Sequence, residues 1–421
     1  MSDIGKPPPV DRTEARERIR AGFRRWFRAP PRRHGEVIYT REVSFLELFY
    51  DLVYVVLIAQ VSHHLAEHLG WEGLLDFAIL FGLIWLAWFN GTFWHELHAR
   101  PDGRSRNYIF IQMALLALLA VFAGDATGQS GAEFAFTYAV LFTLFTWQWY
   151  LVQRVDDPQY RSVTMRYLTG MVITVIAIVA SALADEARIW IWGAVVVGWT
   201  LGGLLLMAWS RTAGFGEGVT ASLVERVGLF TIIVLGEVVV GVVTGISDAP
   251  ERSPLIVATG IVGLTIGYGI WWNYFDLLGR RVPDHTGAPL AVWLFAHLPL
   301  TMSIAAGGAA LVSLIEHAGD ARISAGSAFL LSGSVSVVLL GITVAVRALP
   351  EDEFPPGMAS QIAPTLVLAA LAAVFVGVLR PPPIVLVASL AALLFLTWLR
   401  MFILYVVLGG RPIEEGAGEL E

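Results

Sequence analysis

Residues 44–64 read SFLELFYDLVYVVLIAQVSHH. The run is long enough and apolar enough to cross a membrane as one helix, which requires about 20 mostly apolar residues. It nevertheless contains several polar side chains, namely Glu47, Asp51, Gln60, His63 and His64. What these side chains do inside a membrane-spanning helix decides how the fold and the function of the chain are interpreted.

A related run opens the second half of the chain. Residues 222–241 read SLVERVGLFTIIVLGEVVVG, with Glu225 at the position of Glu47 and a further acid, Glu237, deeper in the run. The two runs together therefore place four carboxylates on two long apolar segments.

The composition is that of an integral membrane protein. Of 421 residues, 56% are hydrophobic and only 15% are charged, whereas a soluble protein is about 25% charged. There is no cysteine, which excludes disulfides, thiolate catalysis, iron–sulfur clusters and cysteine-ligated zinc. No glycine-rich phosphate loop follows a strand, so we expect no cofactor and no nucleic-acid partner.

Twelve segments are long and apolar enough to span a bilayer. They are 45–66, 72–97, 107–124, 133–153, 163–184, 188–209, 222–245, 254–277, 289–316, 323–348, 361–379 and 384–408. The predicted fold class is therefore an all-α integral membrane protein with about 12 transmembrane helices. Short polar breaks separate most of the segments, and the break at 380–383 (RPPP) predicts a tight hairpin.

Positive charges fix the predicted orientation. With the amino terminus inside, the outer loops hold only Arg188, Arg252, Arg322 and Arg380. The inner loops and the carboxyl-terminal end hold Arg100, Arg104, Arg106, Arg154, Arg161, Arg166, Arg211, Arg226, Arg280, Arg281, Arg347, Arg400 and Arg411. Cytoplasmic loops are enriched in arginine and lysine, so we expect an inner-membrane protein with both termini cytoplasmic.

The chain divides into a basic cytoplasmic arm (1–43), a first six-helix unit (44–210), a linker (211–221), a second six-helix unit (222–409) and a cytoplasmic tail (410–421). Within the arm, residues 11–28 read DRTEARERIRAGFRRWFR. They predict a basic amphipathic helix on anionic lipids of the inner leaflet. The alternative is a solvated basic arm, and the oligomeric state stays open.

The two six-helix units predict an internal repeat. When Ser44 is aligned with Ser222, Trp88-Phe89-Asn90 meets Trp271-Trp272-Asn273, and residues 108–115 lie opposite residues 293–300. A six-helix repeat keeps the same orientation in both halves, so it predicts a pseudo-two-fold axis along the membrane normal.

The four carboxylates divide by depth. Ser44 with Glu47 and Ser222 with Glu225 both fit a capping box at the start of an apolar run, so these two acids are predicted caps and secondary candidates. Asp51 lies about 10 Å and Glu237 about 20 Å into its helix at 1.5 Å per residue. An intramembrane acid indicates function, and the alternative is a hydrogen bond that ties two helices together.

Polar residues among aromatic side chains complete the predicted substrate or ion pathway. Asn90, Asn273 and Asp276 lie near the inner ends of the second and eighth segments, where they line a pocket or merely accompany interfacial tryptophans. His297 precedes Pro299, which interrupts the helical hydrogen bonds and could expose backbone oxygens, but a buried histidine with satisfied hydrogen bonds is the preferred interpretation.

Two histidine clusters raise the question of a metal site. His64-Leu-Ala-Glu67-His68 has a zinc-binding spacing, and His95-Glu-Leu-His98 forms a second cluster. The first segment ends outside the membrane and the second ends inside, so the two clusters lie on opposite faces of the membrane and cannot form one site. We interpret both as solvated histidines at helix ends and predict no metal. Glycine pairs 198/202, 241/245 and 263/267 predict close helix contacts.

The runs SFLELFYDLVYV at 44–55 and ERVGLFTIIVLGE at 225–237 resemble the two signature segments of the bacterial low temperature requirement A family. Residues 271–276 (WWNYFD) and 297–300 (HLPL) are also similar to its pattern. The resemblance covers about residues 40–405 and implies a polytopic inner-membrane protein named for growth at low temperature. It implies no defined activity or substrate. The sequence departs from the pattern at Val238 and Val239, where many members carry a small polar residue.

The leading functional hypothesis is a transporter-like protein in which Asp51 and Glu237 respond to protons or cations, and the substrate is a small molecule or ion. The second is a membrane sensor or scaffold that affects growth at low temperature. A membrane-embedded enzyme is third, with Asp51 and either Asn90 or Asp276 as its acid–base cluster.

Overall fold

The computed structural model describes residues 13, 16–18, 20–22, 26, 30–34, 36, 43–100, 102–209, 221–279, 281–283 and 288–409. In this part of the chain, twelve helices are long and apolar enough to cross a membrane. They are α1 Phe45–Glu67, α2 Trp71–His98, α3 Gly103–Ala123, α4 Gly131–Val155, α5 Arg161–Ser181, α6 Arg188–Trp209, α7 Ala221–Asp248, α8 Pro254–Leu277, α9 Ala288–Glu316, α10 Ala325–Val346, α11 Ala359–Leu379 and α12 Pro383–Val407. The predicted count of twelve is confirmed.

Local chemistry sets several helix ends. Ser44 accepts the Glu47 N–H with its hydroxyl, and the Glu47 carboxylate accepts the Ser44 N–H at 3.0 Å, which completes the predicted capping box. Ser253 caps α8 just before Pro254, which suits the first helical turn because it needs no N–H there. Arg380 adopts a left-handed conformation with φ of 49° and ends α11, so α11 and α12 form the predicted tight hairpin.

We call the side on which α1 begins and α2 ends the arm face, and the side on which α1 ends and α2 begins the far face. Because the helices alternate in direction, α7 also runs from the arm face to the far face. The arm face of the first half also holds residues 30–34 and 36.

The same helix pairs contact each other in both halves. In the first half α1 packs on α2 and α3, α3 on α4, α2 on α4 and α6, α4 on α5, and α5 on α6. In the second half the corresponding pairs are α7 with α8 and α9, α9 with α10, α8 with α10 and α12, α10 with α11, and α11 with α12. An internal repeat predicts this correspondence; the repeat axis stays a prediction.

The halves meet along a small set of helices. α1 contacts α7 and α9, α2 contacts the same two helices, and α6 contacts α9. α9 is the most enclosed helix of the second half, and most of its residues are buried. Most of the contacts described between the halves therefore lie where α1, α2 or α6 meets α7 or α9.

Glycine lets α7 and α9 approach closely. A Cβ atom on Gly241 would lie 2.1 Å from the Gly308 carbonyl oxygen, and one on Gly308 would lie 2.5 Å from that of Glu237. A Cβ on Gly245 would lie 2.9 Å from the backbone oxygen of Val312. The predicted close contact at glycines 241 and 245 is confirmed. The one predicted at Gly198 and Gly202 is wrong, because a Cβ on either meets no atom within 4 Å.

Two other sequence interpretations are corrected here. Ser222 lies within α7, and its hydroxyl donates to the Glu96 carboxylate of α2 at 2.7 Å. Glu225 is exposed, so the capping box predicted for Ser222 and Glu225 is wrong. Arg226 was assigned to an inner loop, but it lies inside α7 and is fully buried.

The described residues of the arm belong to two parts. Residues 13, 16–18, 20–22 and 26 are helical, and Arg106 of α3 stacks over the Trp26 ring at 5.2 Å. Much of the predicted amphipathic helix 11–28 lies outside the described residues, as do the linker residues 211–220 and the tail from 410 onward. Whether residues 11–28 bind lipid stays a prediction.

Candidate functional site

An ion pair between the two halves lies at the centre of the candidate site. Nη2 of Arg226 on α7 donates to Oδ1 of Asp51 on α1 at 2.9 Å. The same oxygen accepts the indole N–H of Trp88 on α2 at 3.0 Å. Neither Asp51 nor Arg226 is exposed at all. Three helices from two halves therefore converge on one carboxylate oxygen.

Glu47 joins this group at the arm face. Its Oε1 lies 3.9 Å from Nη1 of Arg226, beyond hydrogen-bond distance but close enough for strong attraction in a buried environment. Glu47 is also buried, and its other carboxylate oxygen accepts the Ser44 N–H. The predicted cap is thus confirmed, and the same side chain also contributes negative charge beside Arg226.

The group has unused hydrogen-bonding capacity. Oδ2 of Asp51, together with Nε and Nη1 of Arg226, has no hydrogen-bond partner among the described residues. A buried charge without full hydrogen bonding is costly, and removing one member of a buried pair costs about 3–5 kcal/mol.

Aromatic packing fixes the geometry of the pair. The Trp88 ring stacks on Phe230 of α7 with ring centroids 4.1 Å apart. Phe230 follows Arg226 by one helical turn, so the same surface of α7 supplies the cation and the ring that positions the indole donor. This explains why Trp88 points its N–H at Asp51 and not toward the membrane interface.

Glu237 lies on the same pair of helices, about three turns beyond Arg226. It is 4% exposed and interacts with the Ser62 hydroxyl of α1, outside regular hydrogen-bond geometry. Ser62 in turn follows Asp51 by about three turns. The seam between α1 and α7 therefore carries two polar levels, Asp51 with Arg226 near the arm face and Ser62 with Glu237 about 16 Å further along.

A polar cavity of about 410 Å³ opens at the far face beyond the second level. It lies among α1, α7 and α9. Its titratable lining residues are His63, Glu67, Asp248, Glu316 and His317. His63 and Glu67 also lie 3.4 Å apart. Three carboxylates at one mouth make it attractive to cations.

The remaining predicted pathway residues make separate contacts. The Asn90 amide donates to the Leu86 carbonyl at 2.8 Å, and its oxygen accepts the Tyr167 hydroxyl of α5. His297 has Nδ1 2.7 Å from the Trp293 carbonyl oxygen, so Nδ1 carries the hydrogen and Nε2 accepts the Tyr274 hydroxyl at 3.0 Å. Both residues are buried and hydrogen-bonded between neighbouring helices.

Pro299 does not open the helix around His297. α9 continues through it, and the Thr301 hydroxyl donates to the His297 carbonyl at 2.6 Å. The carbonyl that Pro299 deprives of a backbone donor is that of Phe295, four residues earlier, so the Thr301 bond does not replace the missing one. The prediction that the interruption exposes backbone oxygens stays a prediction.

Asn273 and Asp276 line a separate cavity of about 290 Å³ between α8 and α12. Asn273 donates to the Gly269 and Leu394 carbonyls at 2.8 and 3.0 Å, while its oxygen has no partner among the described residues. Asp276 accepts the Trp398 indole N–H at 2.7 Å. Arg281 also lines this cavity, and burial lowers the pKa of its guanidinium.

The structure therefore separates the predicted pathway residues into four places. Asp51 and Glu237 share the seam between α1 and α7, Asn273 and Asp276 share a cavity of the second half, and Asn90 and His297 lie in private hydrogen bonds. Of the residues named for an acid–base cluster, Asp51 pairs with Arg226 and Asp276 accepts from Trp398, while Asn90 bonds to Tyr167; the enzyme hypothesis stays untested.

Sequence reasoning missed Arg226 and Trp88. Arg226 was counted with loop charges, although it directly follows Glu225 within an apolar run. The sequence did contain a signal for this pair. A charged residue within an apolar run needs an opposite charge nearby. Asp51 was a candidate partner, because it is an acid of the other half that lies inside a helix near the same face.

The histidine clusters also differ from expectation. His64 and His68 lie at the far end of α1 and stack with ring centroids 4.5 Å apart. His95 and His98 were interpreted as solvated, which is wrong, because both are buried. His98 donates from Nδ1 to the Arg32 carbonyl at 3.0 Å, and His95 donates to the Gly91 carbonyl at 2.6 Å. Among the described residues, no three or more His, Asp or Glu side chains are placed so that they could hold one metal ion.

Comparison with known proteins gives two matches. The model of the family described as bacterial low temperature requirement A protein matches residues 42–404. An uncharacterized protein of Rhizobium meliloti (strain 1021) is 27% identical over 286 residues, which cover 62% of this chain and 67% of that protein. No solved structure matches significantly.

Proposed function

The chain belongs to the bacterial low temperature requirement A family, and we propose that it is a transporter in which a proton or cation is coupled to the opening of the seam between α1 and α7. The observation that carries this proposal is the buried Arg226–Asp51 pair, which joins the two halves across that seam. We place the arm face in the cytoplasm and the protein in the inner membrane, from the arginine distribution.

The ion pair serves as the cytoplasmic gate. Alternating access requires the halves to separate first on one side and then on the other. Near the arm face, the ion pair between Asp51 and Arg226 holds α1 and α7 together. At the second level, towards the far face, the two helices have only Glu237 near the Ser62 hydroxyl. The closed arm face and the cavity at the far face together correspond to an outward-facing state.

Glu237 is the coupling residue. A carboxylate at that depth costs several kcal/mol unless water or a cation reaches it, whereas the protonated form costs much less. Cations gathered by the acidic far-face cavity, which begins about two turns beyond Glu237 on α7, would approach this acid. Charging or neutralising Glu237 then changes the free energy of opening the seam.

Proteoliposomes containing the dye pyranine test this function. Vesicles are loaded with sodium, potassium or magnesium chloride and diluted to create an outward cation gradient. We expect one of these gradients to change the internal pH with wild-type protein and not with Glu237→Gln. Glu225→Gln is the matched control, because Glu225 lies on the same helix but is exposed. If no gradient moves protons faster than in empty vesicles, cation–proton coupling is wrong.

A sensor or scaffold is the second candidate, and the docking of Arg32 and His34 on the bundle favours it. Arg32 and His34 are buried against the ends of α2 and α4, so a change in the arm would reach the bundle directly. Deleting residues 1–40 distinguishes the two candidates. If the protein is a sensor, the deletion should abolish function while the bundle stays folded. If it is a transporter, the deletion should leave the flux unchanged.

A further inference from the structure

The largest of the cavities described lies away from the seam, on the surface of the first half. It is a groove of about 510 Å³ between α5 and α6, closed at its inner wall by α2 and α9. This volume lies within the range of small-molecule sites, about 300–1,000 Å³. No residue of the candidate gate lines it.

Glycine forms the open side of the groove. Gly198 and Gly202 lie on the exposed surface of α6, and a Cβ atom on either would meet no atom within 4 Å. Gly203 is different, because Phe295 of α9 packs against it and a Cβ there would lie 2.3 Å from the ring. Because glycine has no side chain, Gly198 and Gly202 leave the groove open along α6. At Gly203 the groove reaches Phe295, which belongs to the second half.

The groove offers a ligand almost no free polar groups. The Thr174 hydroxyl donates to the Gly170 carbonyl at 3.0 Å and accepts the Trp199 indole N–H at 2.7 Å. The Tyr167 hydroxyl donates to Asn90. The walls are otherwise aromatic or aliphatic, so the groove suits a hydrocarbon and would leave a polar solute unsolvated.

The dimensions fit one lipid chain. The lining residues span 166–177 on α5 and 191–206 on α6, which is about 16 and 22 Å at 1.5 Å per residue. One leaflet contributes half of a hydrocarbon core of about 30 Å. Ile173, which lines the groove, is 60% exposed on the membrane-facing side, so an acyl chain reaches the groove directly from the bilayer.

A single cation marks one end. Arg166 lines the groove near the arm face, where α5 begins, and it is exposed. It forms no ion pair with any residue that the structure describes. The charge complements a phosphate, and arginine binds phosphate with directional hydrogen bonds. We propose that this groove binds one acyl chain of an anionic bilayer phospholipid, with its phosphate on Arg166.

Photocrosslinking in nanodiscs tests the site. The probe is phosphatidylglycerol with a diazirine in one acyl chain, at low fraction in phosphatidylcholine, and labelled peptides are identified by mass spectrometry. We expect labels on α5 and α6 in the wild type. The double variant Gly198→Leu with Gly202→Leu fills the groove without striking the backbone, so labelling there should fall several-fold. Gly333→Leu on α10 is the control, because a Cβ at Gly333 also meets nothing within 4 Å.

A second variant tests the headgroup. Arg166→Gln should leave chain labelling with a phosphatidylcholine probe unchanged and remove the preference for phosphatidylglycerol. Equal labelling of wild type and double variant would overturn the acyl-chain site. Equal lipid preference of wild type and Arg166→Gln would overturn the phosphate contact. If the double variant instead converts a dimer to a monomer in crosslinking, the groove is an interface between copies and the lipid proposal is wrong.

Discussion

Arg226 of α7 binds Asp51 of α1 through a single hydrogen bond of 2.9 Å, in a place where neither side chain is exposed. The two residues are 175 positions apart in sequence. The contact therefore fixes the relation of the first half to the second. Since Asp51 also accepts the Trp88 indole N–H, one carboxylate connects α1, α2 and α7.

Removing one member of this pair should be more harmful than removing both. Asp51→Leu leaves Arg226 buried without its main partner, and we expect a loss of about 3–5 kcal/mol in the free energy of unfolding. Asp51→Leu combined with Arg226→Met removes both charges, and stability should recover substantially. Thermal unfolding of detergent-solubilised protein measures the difference.

Glu225→Leu is the control for that comparison, because its side chain is exposed on the same helix, and it should be nearly neutral. If the double variant is less stable than either single variant, the charges are not coupled in the way that the 2.9 Å contact implies. If transport is measurable, the stable double variant should still lack gating.

Trp88→Phe separates the hydrogen bond from the packing. Phenylalanine keeps a ring against Phe230, whose centroid lies 4.1 Å away, but it removes the N–H that Asp51 accepts. We expect a loss of about 1–3 kcal/mol, the usual value for a hydrogen bond to a charged group. Trp271→Phe, at the position that the predicted repeat aligns with Trp88 and that is 36% exposed, should cost less. Equal losses in the two variants would contradict a specific role of the indole N–H.

Gly241→Leu should disrupt the contact between α7 and α9. A Cβ there would lie 2.1 Å from the Gly308 carbonyl oxygen, so the helices must separate, and overpacking of this kind typically costs about 1–3 kcal/mol or more. Gly236→Leu on the same helix is the matched control, because a Cβ at Gly236 meets nothing within 4 Å. The difference in melting temperature between the two variants measures the contact. A Gly241→Leu protein as stable as Gly236→Leu would show that the helices are not closely packed at this point.

The sequence was sufficient for the helices but not for the contacts between them. Apolar runs and arginine-bearing breaks locate all twelve spans, and the Ser44–Glu47 cap follows from local spacing alone. Partners such as Arg226 for Asp51, or Tyr167 for Asn90, depend on how distant helices pack, which hydropathy does not encode. Gly198 and Gly202 illustrate the same limit, since glycine pairs permit either a helix contact or an open groove.

The arm segment should detach when its anchor on the bundle is removed. Asp156 follows α4 and accepts the His34 backbone N–H at 2.9 Å, and its other oxygen contacts the His34 ring. Arg32 adds a hydrogen bond of 2.8 Å to the Ala99 carbonyl. Both Asp156 and His34 are buried, so Asp156→Ala leaves the His34 N–H without its acceptor. Residues 30–34 and 36 should then become accessible to protease.

Limited trypsin digestion measures this accessibility at Arg32 and Arg33. Cleavage there should be slow in the wild type and at least several-fold faster in Asp156→Ala, with the bundle fragment intact in both. Asp157→Ala is the neighbouring control, since the Asp157 side chain is half-exposed and pairs with the exposed Arg33 at 3.4 Å. Cleavage that is equally fast in both variants would mean that the buried Asp156 carboxylate does not hold the arm. In that case the sensor hypothesis loses the contact that favours it.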